Sequence, residues 1–97
     1  MLESEYQGKL IKKLEKLFPG SVILKNDSGY RQGIPDLVIF HGARWAMLEV
    51  KASETAPYQA NQEYYLDLLG KMSFASVIYP SIEKDVLSAL DKALQGV

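Results

Sequence analysis

Asp36, Glu49 and Lys51 are the side chains whose types and spacing best suit chemistry. Asp36 follows Gly33-Ile34-Pro35 and opens the apolar run Leu37-Val38-Ile39-Phe40, while Glu49 and Lys51 close a second run that begins at Trp45-Ala46-Met47-Leu48. The β-branched, aromatic and aliphatic make-up of both runs predicts adjacent strands of a hairpin turning at His41-Gly42-Ala43. Side chains alternate across a strand, so Glu49 and Lys51 share one face and Leu48 and Val50 the other. An unpaired charge at the end of a buried strand is costly and needs a partner, a metal ion or water. Two neighbouring carboxylates repel unless a cation lies between them, and hard divalent ions such as Mg²⁺ prefer carboxylate and carbonyl oxygens with water. The pattern therefore points to a metal site with an ammonium beside it. Taken alone it also fits a strand-initiating Asp and a surface Glu/Lys rung.

The polar loop from Asn26 to Gln32 leads into Gly33, with Lys25 just before it. Gly29 and Gly33 allow tight turns, and Pro35 fixes the approach of the chain to Asp36. Lys25, Asn26, Tyr30 and Arg31 lie beside the expected site, as solvated loop residues or as contacts to a phosphate backbone or a base.

The elements that must carry these residues form one small domain, since 97 residues allow a single core. Cysteine is absent, which excludes disulfides, thiolate catalysis and cysteine-ligated zinc within this chain. The net charge of −1 is not that of a strongly basic nucleic-acid coat, but acids gathered around a metal would lower the total. No apolar run reaches the ~18 residues of a membrane span, and the first residues have no secretory pattern, so a cytoplasmic location is expected.

Residues from about Leu2 to Phe18 read as an amphipathic helix stopped by Pro19-Gly20. One face carries Glu3, Gln7, Leu10, Leu14 and Leu17, with Tyr6, Ile11 and Phe18 on its flanks. Glu3 thus continues the inward stripe, either as a site residue or as an acid favoured by the first turn of the helix. Ser21 to Lys25 is a short strand. Tyr58 to Lys71 has helical spacing, with Gln62 on the face of Tyr65, Leu66 and Leu69, as a structural hydrogen-bonder or a site residue. Phe74 to Tyr79 is a further strand. Ser81 is the expected N-cap of a last helix that turns Ile82, Val86, Leu87, Leu90 and Leu94 inward. His41 reads as a turn residue and Trp45 as packing.

Glu3, Asp36, Glu49, Lys51 and Gln62 are polar exceptions from separate elements, better explained by one shared site than by unrelated compromises. The order α-β-β-β-α-β, with Asp before one strand and Glu-x-Lys ending the next, resembles the PD-(D/E)XK nuclease fold. The fuller set, Glu3 to Gln7, Gly33-Ile34-Pro35-Asp36, Glu49-Val50-Lys51 and Gln62, is similar to the VRR-NUC branch, above all its small stand-alone phage and bacterial members. The likeness covers nearly the whole chain. It departs where the family often has Ser three residues before the helical glutamine, a position held here by Gln59.

The resemblance implies an α/β fold with a restriction-endonuclease-like αβββαβ core, a mixed sheet flanked by helices, plus an extra C-terminal helix. It implies that Asp36 and Glu49 bind Mg²⁺ or Mn²⁺, helped by the Val50 carbonyl and Glu3. Lys51 would orient or deprotonate the attacking water, and Gln62 would brace that water or the lysine. An ammonium flanked by acids suits charge stabilisation better than proton abstraction. The expected activity is a metal-dependent endonuclease on branched DNA such as Holliday junctions, with a role in DNA repair and a homodimer placing two sites, its pairing surface at Tyr58, Tyr64 and Tyr65. A non-catalytic binding module on the same scaffold, or a sequence-preferring endonuclease, are the other readings. The second has little room for a base-reading element.

Overall fold

The computed structural model describes residues 1–96. In chain order these form α1 (Glu3–Leu17), β1 (Val22–Lys25), β2 (Leu37–His41), β3 (Arg44–Val50), α2 (Gln62–Met72), β4 (Phe74–Ile78), a 3₁₀ turn over Pro80–Ile82, and α3 (Glu83–Gln95). The result is an α/β fold in which three helices flank a mixed sheet of strand order β1-β2-β3-β4. The first three strands pair antiparallel and β4 joins β3 in parallel. A parallel neighbour requires a crossover, which α2 provides.

Strand alternation decides the two faces. Leu37 and Ile39 of β2, Ala46, Leu48 and Val50 of β3, and Ile78 of β4 form the main core with α1 and α3. From β3 the opposite parity sends Glu49, and Lys51 just beyond it, to the face covered by α2. Both charges are buried, at 2% and 5% exposure. The hairpin closes through Gly42-Ala43, with His41 paired to Arg44. Gly42 has φ +61°, which suits glycine at the first position of a two-residue turn.

Three expectations about the helices are corrected. The buried stripe of α1 is Tyr6, Leu10 and Leu14, continued by Phe18, while Leu17 is 50% exposed. Turning the helix this way buries two aromatic rings in place of a leucine, and it leaves Glu3 in water, where its carboxylate is not desolvated. Helix α2 begins at Gln62 rather than Tyr58, because Asn61 adopts the left-handed conformation at φ 68° and breaks the helical path before it. Ser81 caps nothing: it lies inside the 3₁₀ turn, and the N-cap position of α3 is Ile82, without a side-chain cap.

Candidate active site

The site forms where the first residue beyond β3 meets the loop before β2 and the start of α2. Asn26 continues the β1–β2 ladder by donating from its backbone N–H to the Asp36 carbonyl at 2.8 Å. Its side-chain amide donates to the Pro35 carbonyl at 2.9 Å, so the Pro35-Asp36 turn is held from two directions. Asp36 Oδ2 accepts the Val50 N–H at 2.8 Å. The carboxylate is thereby fixed at the end of β3, next to Glu49. In a strand the carbonyl and N–H of one residue leave on the same side, so the Val50 carbonyl is directed toward Asp36 as well.

Glu49, Lys51 and Gln62 form one network. Gln62 Nε2 donates to Glu49 Oε2 at 2.7 Å, and Gln62 Oε1 accepts from Lys51 Nζ at 2.8 Å and from the Gln59 backbone N–H at 2.7 Å. Lys51 Nζ also donates to the Pro57 carbonyl at 3.0 Å, stands 3.5 Å from Glu49 Oε2, and lies 5.3 Å from the centre of the Tyr58 ring. Burial pushes the Glu49 carboxyl up to about 7, and Asp36 beside it adds to the rise, while Lys51 pulls the other way. The other oxygen, Glu49 Oε1, is buried and takes no hydrogen bond.

Gly33 joins the two halves of the site. Its φ is +93°, and a Cβ there would lie 2.5 Å from Asn61 Cβ and 2.6 Å from the Asn61 backbone carbon. Only glycine lets the chain leading to Asp36 pass this close to the residue that starts α2. A cleft of about 460 Å³ opens over the result, lined by Asp36, Gln62, Ser28, Gly29, Gln32 and Gln59 among others.

The residues read from the sequence thus divide. Asp36, Glu49, Val50, Lys51 and Gln62 come together. Glu3 does not join them: it is exposed, and among the described residues no group of three acidic, histidine or cysteine side chains is placed to hold a metal ion. A ligand set drawn from this chain is therefore two carboxylates and a carbonyl. They fit a hard divalent cation on chemistry, because an unpartnered buried carboxylate oxygen beside a second carboxylate lacks positive charge. Asn26 braces the Asp36 turn. Lys25 is exposed at the end of β1 and Tyr30 is exposed on the loop. Arg31 donates to the Tyr65 hydroxyl at 3.1 Å, which strengthens its hold on its proton.

The contacts that the Pro57 carbonyl, the Tyr58 ring and the Gln59 N–H make with the site were not foreseen, because Pro57 reads as the end of a linking loop and Tyr58 and Gln59 as the first turn of a helix. Of the tyrosines expected to pair subunits, Tyr58 lies over Lys51, Tyr65 accepts from Arg31, and Tyr64, which is exposed, stands edge-on to Tyr65 at 5.1 Å.

No protein-family model and no curated protein sequence matches the chain. A solved structure described as a VRR_NUC domain protein superposes with a TM-score of 0.69 at 17% identity, covering 98% of this chain and 89% of that one. The chain therefore has the fold of a VRR_NUC domain protein.

Proposed function

We propose that this chain, built on the VRR_NUC fold, is a divalent-metal-dependent nuclease that hydrolyses DNA phosphodiester bonds at the Asp36–Glu49–Lys51–Gln62 cluster. The observation that carries this reading is the buried, unpartnered Glu49 Oε1 beside a second carboxylate and within the reach of a tethered lysine. Structural ion pairs are satisfied. Here an acid is left short of charge behind Asp36 and Gln62, which line an open cleft, as a cation-binding site requires.

Asp36, Glu49 and the Val50 carbonyl would hold Mg²⁺ or Mn²⁺. A bound divalent ion supplies an activated water near neutral pH and stabilises charge on the phosphate oxygens. Asp36 is fixed by the Val50 N–H and by the braced turn below it, so its free oxygen keeps its direction. Gln62 sets the distance between Lys51 and Glu49 by bonding both. Lys51, donating to two carbonyl oxygens and facing a carboxylate, acts as a fixed donor to the charge that develops on the phosphate rather than as a base. The loop with Lys25, Asn26, Tyr30 and Arg31 flanks the approaching DNA.

Branched DNA, four-way junctions in particular, is the substrate class of this reading, and cutting both strands of a junction favours a homodimer with two sites. The exposed Tyr58 and Tyr64 with the neighbouring Tyr65 offer one pairing surface, and the exposed apolar residues Val22, Leu24 and Phe40, on the sheet face that α2 leaves open, offer a second. Val22 and Phe40 are partners across β1 and β2.

The test is cleavage of a synthetic four-way junction and a linear duplex of matching sequence, with Mg²⁺, Mn²⁺ or chelator. The expected result is metal-dependent cutting of the junction by the wild type and none by Asp36→Ala. Equal activity in the two proteins would overturn the assignment, and absence of any Mn²⁺ binding heat would leave a binding module on a nuclease scaffold.

A further inference from the structure

The loop over residues 27–34 separates two clefts. The one over Asp36 and Gln62 belongs to the site already described. The other, of about 450 Å³, is lined by Asn26, Asp27, Tyr30, Arg31, Ile34 and Met47, and the hydrolytic chemistry makes no use of it. We infer that this second cleft receives one unstacked nucleobase of the substrate, an inference that rests on the nuclease reading and adds to it a site for the base.

The lining selects the ligand. Ile34 and Met47 make part of it apolar, and the Asp27 carboxylate disfavours a phosphate there, so the cleft suits the neutral, flat part of a nucleotide. Tyr30 is 86% exposed, and among the described residues no ring packs against it. An aromatic plate left open at the mouth of a partly apolar cleft is the platform on which bases stack, whatever their sequence. Arg31 supplies a second planar group, steadied by the Tyr65 hydroxyl. The amide nitrogen of Asn26 is committed to the Pro35 carbonyl, which leaves its side-chain oxygen to accept from a base N–H.

The cleft is built before any ligand arrives. Asp27 Oδ1 accepts the Gly29 N–H at 2.8 Å, and the Asp27 carbonyl accepts the N–H groups of Tyr30 at 3.1 Å and Arg31 at 3.3 Å. A preorganised receptor spends less of the stacking energy on ordering itself. Ile34 lines both clefts, so a base held in one lies close to a phosphate presented in the other. Removing a base from an intact duplex costs a few kcal/mol, and the cost is least where it is already unpaired. The cleft thereby favours junctions, flaps and single strands over continuous duplex.

The experiment is a fluorescence titration in chelator, using a short single strand that carries one 2-aminopurine, with wild type, Tyr30→Ala and Tyr30→Phe. Expected are a change in 2-aminopurine emission on binding to the wild type, retention of binding by Tyr30→Phe, and a loss of roughly 5- to 100-fold by Tyr30→Ala. The salt dependence of binding should be the same for Tyr30→Ala as for wild type, because no phosphate contact is removed. Because Tyr30 is exposed, its replacement leaves the core intact. Unchanged affinity in Tyr30→Ala, unchanged emission on binding, or a shift in oligomeric state caused by Tyr30→Ala would each overturn the base site. Metal-dependent cleavage by the wild type, measured separately, tells that failure apart from failure of the nuclease reading itself.

Discussion

Gln62 Nε2 donates to Glu49 Oε2 across 2.7 Å, so the first residue of α2 caps a carboxylate buried at the end of β3. The same amide accepts from Lys51 and from the Gln59 N–H through its oxygen. Truncation to Ala removes one donor and one acceptor from three partners, two of them buried. An unsatisfied buried polar group costs about 1–3 kcal/mol. Gln62→Ala is expected to lose stability in that range by urea denaturation, and to lower kcat more than KM. Gln62→Glu keeps an acceptor for Lys51 but presents a third acid to Glu49, and should be the less stable of the two above pH 7. Equal stabilities at high pH would contradict the network.

The metal-free protein should become less stable as pH rises through the range where Glu49 ionises. Its carboxyl is pushed up to about 7 from an ordinary value of 4.5, chiefly by burial and then by Asp36. Because the folded pKa is the higher one, the folded state binds the extra proton. The penalty is absent below about 4.5, grows as pH rises, and is complete above about 7. A shift of this size corresponds to on the order of 3 kcal/mol. Glu49→Gln should flatten this part of the stability curve, and the difference between the two proteins isolates the residue from other acids. Adding Mn²⁺ should raise Tm more at pH 8 than at pH 5, since below pH 7 the ion competes with a proton. An identical Tm shift at both pH values would argue against Glu49 as a ligand.

Lys51 supplies the positive charge that Glu49 faces at 3.5 Å, and both side chains are buried. Removing one partner of a buried pair costs roughly 3–5 kcal/mol, most of it from the charge left behind. Lys51→Met, which keeps the length of the side chain, should therefore be strongly destabilised at pH 8 and much less so at pH 5, where Glu49 is protonated. Its cleavage activity should be lost at both. A stability loss independent of pH would mean that Lys51 contributes packing rather than charge.

The strands and the Asp36, Glu49, Lys51 and Gln62 cluster were legible in the sequence because each of those residues is polar where a period of 2 or 3.6 calls for an apolar side chain. Such exceptions survive only with partners: Glu49, Lys51 and Gln62 partner one another, and Asp36 takes the Val50 N–H. Glu3 misled for a physical reason. A helical wheel allows the stripe Glu3, Gln7, Leu10, Leu14, Leu17 and the neighbouring stripe Tyr6, Leu10, Leu14, Phe18, and only packing against the sheet decides between them. Asn26 read as a candidate nucleic-acid contact, and its bracing role gave no signal, since a loop asparagine that reaches back to hold a turn looks like any solvated one. The non-helical path of residues 58–61, which ends in a turn, was hidden by helical spacing that the left-handed Asn61 interrupts.

Gly33 is the position where backbone, rather than side-chain chemistry, holds the site together. At φ +93°, alanine is strained on its own, and its Cβ would enter the space of Asn61 at 2.5 Å. Asn61 precedes Gln62, so relief of the clash moves the start of α2 away from Glu49 and Lys51. Gly33→Ala should cost more than the ~1 kcal/mol typical of a point substitution, and should abolish cleavage. Gly20→Ala, also at positive φ but with open space around it, is the control for backbone strain alone. Equal effects at both positions would remove the contact with Asn61 from the explanation.

Asn26 is expected to act on the reaction through Asp36. Its backbone N–H and side-chain amide hold the Asp36 and Pro35 carbonyls at 2.8 and 2.9 Å, and the side chain is half-buried. Asn26→Ala leaves the Asp36 carbonyl bonded and frees only the Pro35 side of the turn, so about 1 kcal/mol of stability is at stake. The Asp36 carboxylate, still bonded to the Val50 N–H, should then sample more directions. That loosens the metal site without removing a ligand, and the second partner of a metal-binding group is typically worth 10- to 100-fold in affinity or activity. Calorimetry with Mn²⁺ should show weaker binding of unchanged stoichiometry, and high Mn²⁺ should restore much of the cleavage rate. Asp36→Ala, lacking the ligand itself, should stay inactive at any metal concentration, and failure of metal to rescue Asn26→Ala would mean that the loss does not pass through Asp36.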